Sequence, residues 1–125
     1  MRKSIEVGDF KHSNPIPAAS RISNMVMSGV ITGKDARSGK MPETLEGQCA
    51  AMFAHVRDII TAAGGTTDHI LKMTVWLRDP SDRRVLNEEW VKMFPNPASR
   101  PARHALPHLG EGPALILCDF TAVIE

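Results

Sequence analysis

The chain has no tyrosine, and only four phenylalanines and two tryptophans among its 125 residues. Single-stranded nucleic acid is commonly held by bases stacked on exposed rings. A sequence this poor in aromatics offers little material for such a platform. Neither sign of charge is in excess: 15 basic side chains stand against 14 acidic ones, a formal net charge of +1. That balance leaves no electrostatic footprint for a polyanion or an anionic membrane. Cysteine is scarce as well. Cys49 and Cys118 are far apart and form no CxxC pair, so buried free thiols in a reducing compartment are expected. No apolar run approaches the length of a membrane span, and no apolar stretch of a signal sequence follows Met1-Arg2-Lys3-Ser4. The expectation is a cytoplasmic, soluble protein with no membrane or nucleic-acid partner.

The usual phosphate, zinc-protease and serine-nucleophile motifs are also missing: there is no GxGxxG, Walker loop, HExxH or GxSxG. His104 and His108 could share a strand face, but no third ligand is placed near them, and a zinc site needs three or four. No metal is expected.

What remains is the material of one domain, residues 1–125. Lys3 to Val7 reads as a short strand, and Asn14-Pro15-Ile16-Pro17 as an extended loop. Ile22 to Ile31 reads as a second strand interrupted at Ser28-Gly29. A glycine in a strand marks either a bulge or a close approach of ligand or backbone. Pro42 suits the first position of a helix, and Leu45, Cys49, Met52, Phe53, Val56, Ile59, Ile60 and Ala63 then recur at spacings of three and four. That stripe predicts a helix of about five turns, ended by Gly64-Gly65. His69 to Leu77 alternates as a strand. Asp79, Pro80 and Asp82 read as the cap of a second helix running to Met93, with Leu86, Trp90 and Met93 on its apolar face and Asn87 beside them. In the last strand Ile116, Cys118, Phe120, Ala122 and Ile124 share one face. Leu115, Leu117, Asp119, Thr121 and Val123 share the other.

This order predicts an α+β two-layer sandwich, a mixed sheet of about six strands with two helices on one face. The other face, with Trp76, Leu115 and Leu117, is too apolar for water and predicts a homo-oligomer.

Pro101 places Arg103 near the start of a strand, with Arg100 in the loop before it. A guanidinium there is either a solvated surface charge or a planar fork for a carboxylate or phosphate.

Several strings, taken together and in order, resemble the YjgF/RidA family of reactive-intermediate imine deaminases, also labelled endoribonuclease L-PSP. They are Ile16-Pro17, Asn24-Met25-Val26-Met27-Ser28-Gly29, the Gln48 to Ala63 helix, Lys72-Met73-Thr74-Val75-Trp76-Leu77-Arg78-Asp79, Val85-Leu86-Asn87-Glu88-Glu89-Trp90 and Arg100-Pro101-Ala102-Arg103. The resemblance implies a chorismate-mutase-like trimer with clefts between subunits, a small carboxylate-bearing substrate and no cofactor. It implies that Arg103 binds the substrate carboxylate and that Ser28, Gly29 and Asn87 line the cleft. Asp119 stands where the family usually has a glutamate that holds the attacking water, with one extra residue between it and Arg103. Ala105 stands where many members have cysteine, and Ala18 or Ala19 where many have tyrosine, so an altered pocket is expected. Arg103 is expected to open a strand next to the one bearing Asp119. The implied reaction is hydrolysis of 2-iminobutanoate- or 2-iminopropanoate-like acids to 2-oxo acids and ammonia. The alternatives are a 2-aminomuconate-type deaminase, an RNA-acting protein and a non-catalytic carboxylate-binding trimer.

Overall fold

The computed structural model describes residues 1–8 and 12–125. Strands β1 (Lys3–Ile5), β2 (Ala19–Ile22), β3 (Met25–Ser28) and β4 (Ile31–Thr32) come first, then helix α1 (Leu45–Ala62). A short 3-10 turn (Thr67–His69) leads into β5 (Ile70–Leu77), helix α2 (Arg84–Met93), β6 (Ala102–Pro107) and β7 (Ile116–Val123). The seven strands form one mixed sheet in the order β1-β2-β3-β7-β5-β6, with β4 also paired to β7. Among the described strands only β5 and β6 run parallel, a pairing that needs a crossover, here the helix α2.

The α+β two-layer expectation holds, with one more strand than anticipated. The segment read as one strand from Ile22 to Ile31 is instead three strands. Ile22 pairs with Met25 across a tight turn at Ser23-Asn24, and Ser23 takes a left-handed φ of 53°. A hairpin turn of this length needs positive φ, which usually calls for glycine or asparagine first. Serine hides the signal. Arg21 steadies the turn, its Nε donating to the Ser23 carbonyl at 2.7 Å. Its Nη1 reaches the Ala63 carbonyl at the end of α1, where a cation is favoured by the exposed carbonyls.

Both helix starts lie later than the sequence implied. Thr44 caps α1, its hydroxyl accepting from the Gly47 N–H at 3.0 Å, and Pro42 belongs to the preceding loop. Asp79 does not cap α2. Its carboxylate accepts from the backbone and hydroxyl of Ser81, closing a local turn, and Arg83 occupies the cap position. The helix ends at Met93 as expected, and α1 gives way at Gly64, whose φ of 95° suits a residue without Cβ.

The core lies between the helices and one face of the sheet. Val56, Ile60, Met73, Val75, Ile116, Cys118 and Ala122 are each fully buried there. The other face stays open. Ile22, Met25 and Met27 are about half exposed, beside the half-buried Trp76, Leu117 and Val123.

Gln48 is a buried polar residue that no apolar spacing reveals. Its Nε2 donates to the Pro42 and Pro113 carbonyls at 2.8 and 3.0 Å, and its Oε1 accepts from the Leu115 N–H at 2.8 Å. One amide thus ties the start of α1 to the loop before β7. Gln48→Met keeps the bulk but orphans these backbone groups, at a cost of about 1–3 kcal/mol. The prediction is a clearly lowered urea midpoint with unchanged far-UV circular dichroism; an unchanged midpoint would show that water replaces the amide.

Candidate functional site

Residues paired across neighbouring strands share a face of the sheet. Arg103 is in register with the buried Met73, so its side chain leaves β6 toward the helix layer. There α2 receives it. The guanidinium carbon lies 4.9 Å from the centre of the Trp90 ring, a cation–π contact. Its Nη2 donates to Asn87 Oδ1 at 2.9 Å. Asn87 and Trp90 are three apart on α2 and therefore act on the same side of the helix. Trp90, which the sequence marks only as core, is also the surface that holds this cation.

Arg103 has no carboxylate partner among the described residues. Its Nη1 is shielded from solvent and has no hydrogen-bond partner. Burial, and then the nearby charge of Arg83, hold its pKa below the ordinary arginine value. Arginine does not give up its proton in a protein, so the charge stays at Arg103 although part of its hydration is lost. Arg103 is thus not a freely solvated surface charge, since a ring face and an amide hold it. Ala105 follows two residues later on the same face, in register with Val75.

Arg100 is in the loop, as expected, but it is not idle. Its Nε donates to the Phe94 carbonyl at 2.8 Å, closing the end of α2.

Asp119 stands elsewhere. It is in register with Thr74, on the open face, while Arg103 leaves the opposite face. The strand expected to adjoin that of Arg103 does not do so, because β5 lies between β6 and β7. The reason is the crossover through α2, which lays β6 at the sheet edge beside β5. Within one chain, therefore, Arg103 and Asp119 do not meet.

Ser28 and Gly29 lie near Asp119 instead. The β3 ladder with β7 stops at Thr121 and the β4 ladder begins at Cys118, leaving a gap opposite Asp119 and Phe120. Ser28 Oγ fills part of it, accepting from the Phe120 N–H at 2.9 Å and donating to the Gly29 carbonyl at 2.8 Å. A Cβ on Gly29 would make only ordinary contacts, at 3.7 Å, so nothing in this chain demands glycine there. The candidate residues thus fall into two separate groups: Arg103, Asn87 and Ala105 at the α2–β6 edge, and Ser28, Gly29 and Asp119 at the gap in the sheet.

The thiols are poor nucleophile candidates. Cys49 and Cys118 are both free and buried, and burial pushes the Cys49 thiol up to about 12 and raises that of Cys118 as well. Among the described residues no three His, Cys, Asp or Glu side chains are grouped to hold a metal ion. No described helix is long and apolar enough to cross a membrane.

Burial raises the Asp119 pKa, partly offset by Lys72 and a hydrogen bond from the Thr74 backbone. The folded chain therefore holds this proton more tightly than the unfolded chain. The associated stability is present below the ordinary carboxylate range and is lost as pH rises through the folded value. Asp119→Asn should accordingly raise the urea midpoint at pH 7 and reduce its variation across the acid range. A lowered midpoint would show that the carboxylate is structural.

This geometry can be set beside known proteins. The family model described as Endoribonuclease L-PSP matches residues 12–107. The chain is 30% identical over 90 residues to the chloroplastic Reactive Intermediate Deaminase A of Arabidopsis thaliana, which covers 71% of this chain and 47% of that protein. It thus spans about half the length of that relative. A RutC family protein of Buchnera aphidicola is 30% identical over 94 residues, covering 72% of this chain and 73% of its own. Among solved structures, RidA from the Antarctic bacterium Psychrobacter superposes with a TM-score of 0.89 at 26% identity, over 98% of this chain and 99% of that one.

Proposed function

The chain belongs to the YjgF/RidA family, whose model is described as Endoribonuclease L-PSP, and from that membership we propose that it hydrolyses reactive 2-imino acids and their enamines to 2-oxo acids and ammonia, without a cofactor. One observation carries the reading: Arg103 is stacked, clamped and partly withdrawn from water, and its buried Nη1 has no hydrogen-bond partner. A buried donor without an acceptor is costly, and a substrate carboxylate supplies the acceptor. A guanidinium is a planar fork of the right shape for one. With the carboxylate held there, the adjacent imine carbon has a fixed position.

Asp119 is the group that orients the attacking water and takes its proton, and its raised pKa suits a general base. Because it leaves the other face of the sheet, it serves the Arg103 of a second copy. The assembly is a homotrimer packed through the open faces, with the active site in the cleft between subunits. The exposed Ile22, Met25, Met27 and Leu106 support it, since a monomer would leave this apolar surface in water. Ser28, Gly29 and the small Ala105 line the same cleft. The near-neutral charge and the missing tyrosines argue against RNA as the substrate.

Arg103→Ala should lower kcat/KM for an imine generated in place by about two to three orders of magnitude, read as release of ammonia or 2-oxo acid. Arg103→Lys should rescue in part, since an ammonium lacks the planar fork. Light scattering should report three chains for the wild type and both variants. Full activity in a trimeric Arg103→Ala variant would refute the site, and loss of the trimer would make Arg103 structural. RNA cleavage without ammonia release would refute the deaminase reading.

A further inference from the structure

Arg83, Asn87 and Trp90 are spaced i, i+4 and i+7, so they fall on one stripe of α2. Asn87 and Trp90 both hold Arg103. Arg83 stands at the helix cap, one turn before Asn87, and its carbonyl accepts the Asn87 N–H at 2.9 Å. Its side chain is exposed and has no hydrogen bond or ion pair among the described residues. Arg84, the next residue, is different: its guanidinium lies 3.9 Å from Glu46 and 3.5 Å from Glu88. Arg83 and Arg103 thus both lie along this side of α2, neither ion-paired with a carboxylate among the described residues, and the charge of Arg83 adds to burial in lowering the Arg103 pKa. Like charges so placed repel, weakly where one is exposed to water, and an anion held between them would relieve that repulsion. A single substrate carboxylate on Arg103 would leave Arg83 unmatched.

We infer that Arg83 receives a second carboxylate, and that this site prefers 2-imino acids carrying an acidic side chain over monocarboxylic ones. The inference rests on the deaminase reading for its chemistry and on the α2 stripe for its selectivity. Water adds to the imine carbon: a C–O bond forms, the C–N bond breaks, and both water hydrogens end on the departing ammonia. The carbon is left as a ketone, with no oxidant or reductant involved. The second carboxylate takes no part in the bond changes, so Arg83 is a specificity residue and not a catalytic one.

Binding and turnover test this separately. Calorimetry with 2-oxoglutarate and 2-oxobutanoate compares a dicarboxylic with a monocarboxylic product. The wild type should bind the dicarboxylate about tenfold more tightly. Arg83→Ala should bring the two affinities together, while Arg83→Lys keeps part of the preference and Arg84→Ala keeps all of it. Imines generated from glutamate and 2-aminobutanoate by an amino-acid oxidase should show the same ratio in kcat/KM. Equal or unmeasurable dicarboxylate binding by the wild type overturns the inference, as does a preference that survives Arg83→Ala. If the binding preference follows Arg83 but neither imine releases ammonia, the deaminase reading fails and the selectivity of Arg83 stands.

Discussion

A pleated strand sends successive side chains to opposite faces, and here an offset of one residue separates core from chemistry. In β7 the buried Cys118 and Phe120 flank Asp119 on either side. A one-residue slip in its pairing would drive the carboxylate beneath the helices and bring Phe120 into the open face. The long ladder with β5, seven paired positions from Ile70 to Leu77, guards against it. Ser28 adds a side-chain acceptor where the β3 and β4 ladders leave Phe120 without one. The same alternation aims Arg103 toward the helix layer because it is matched with Met73. One constraint therefore builds the core, leaves an apolar face without cover and parts the two charged candidates. On the reading proposed above the lone chain is an incomplete site, and a second copy packed on the exposed apolar face would complete it.

Electrostatics at the α2–β6 edge follow from that placement. A guanidinium half-withdrawn from water must recover its hydration from somewhere. The Trp90 face and the Asn87 amide recover part, and neither is an anion. The remaining demand stays directed through Nη1. A glutamate at position 87 would satisfy Arg103 permanently and close the site. The neutral Asn87 amide holds the guanidinium without neutralising it, which on the proposed reading leaves its charge for a ligand. On the same stripe, Arg83 extends the positive field outward toward solvent, where an incoming anion would first feel it.

The parts of the fold set by long apolar patterns were legible in the sequence. The α1 stripe, the alternation of β5 and β7 and the apolar open face all follow from spacing alone. The hairpin between β2 and β3 was not, because Ser23 supplies the left-handed turn without glycine. The helix starts shifted because Thr44 caps α1 where proline seemed to open it, and because Asp79 spends its carboxylate on Ser81. Gln48 escaped notice since a buried amide leaves no periodic mark. At the site, Pro101 was enough to put Arg103 at a strand start, and Asn87 was visible beside the α2 stripe. The separation of Arg103 from Asp119 was hidden, because strand order across the α2 crossover is a tertiary fact. Trp90 looked like core from its spacing, and only its distance to Arg103 gives it a second role.

Mixing two inactive variants tests the shared site most directly. Arg103→Ala and Asp119→Asn chains, each purified, are unfolded together and refolded in equal amounts. If every site joins Arg103 of one chain to Asp119 of the next, about one site in four in randomly mixed trimers regains both wild-type residues. The account predicts ammonia release near a quarter of the wild-type rate per site, with far less from either variant refolded alone. A mixture that stays as inactive as its components, despite proven exchange of subunits, would place the whole site within one chain and contradict the account.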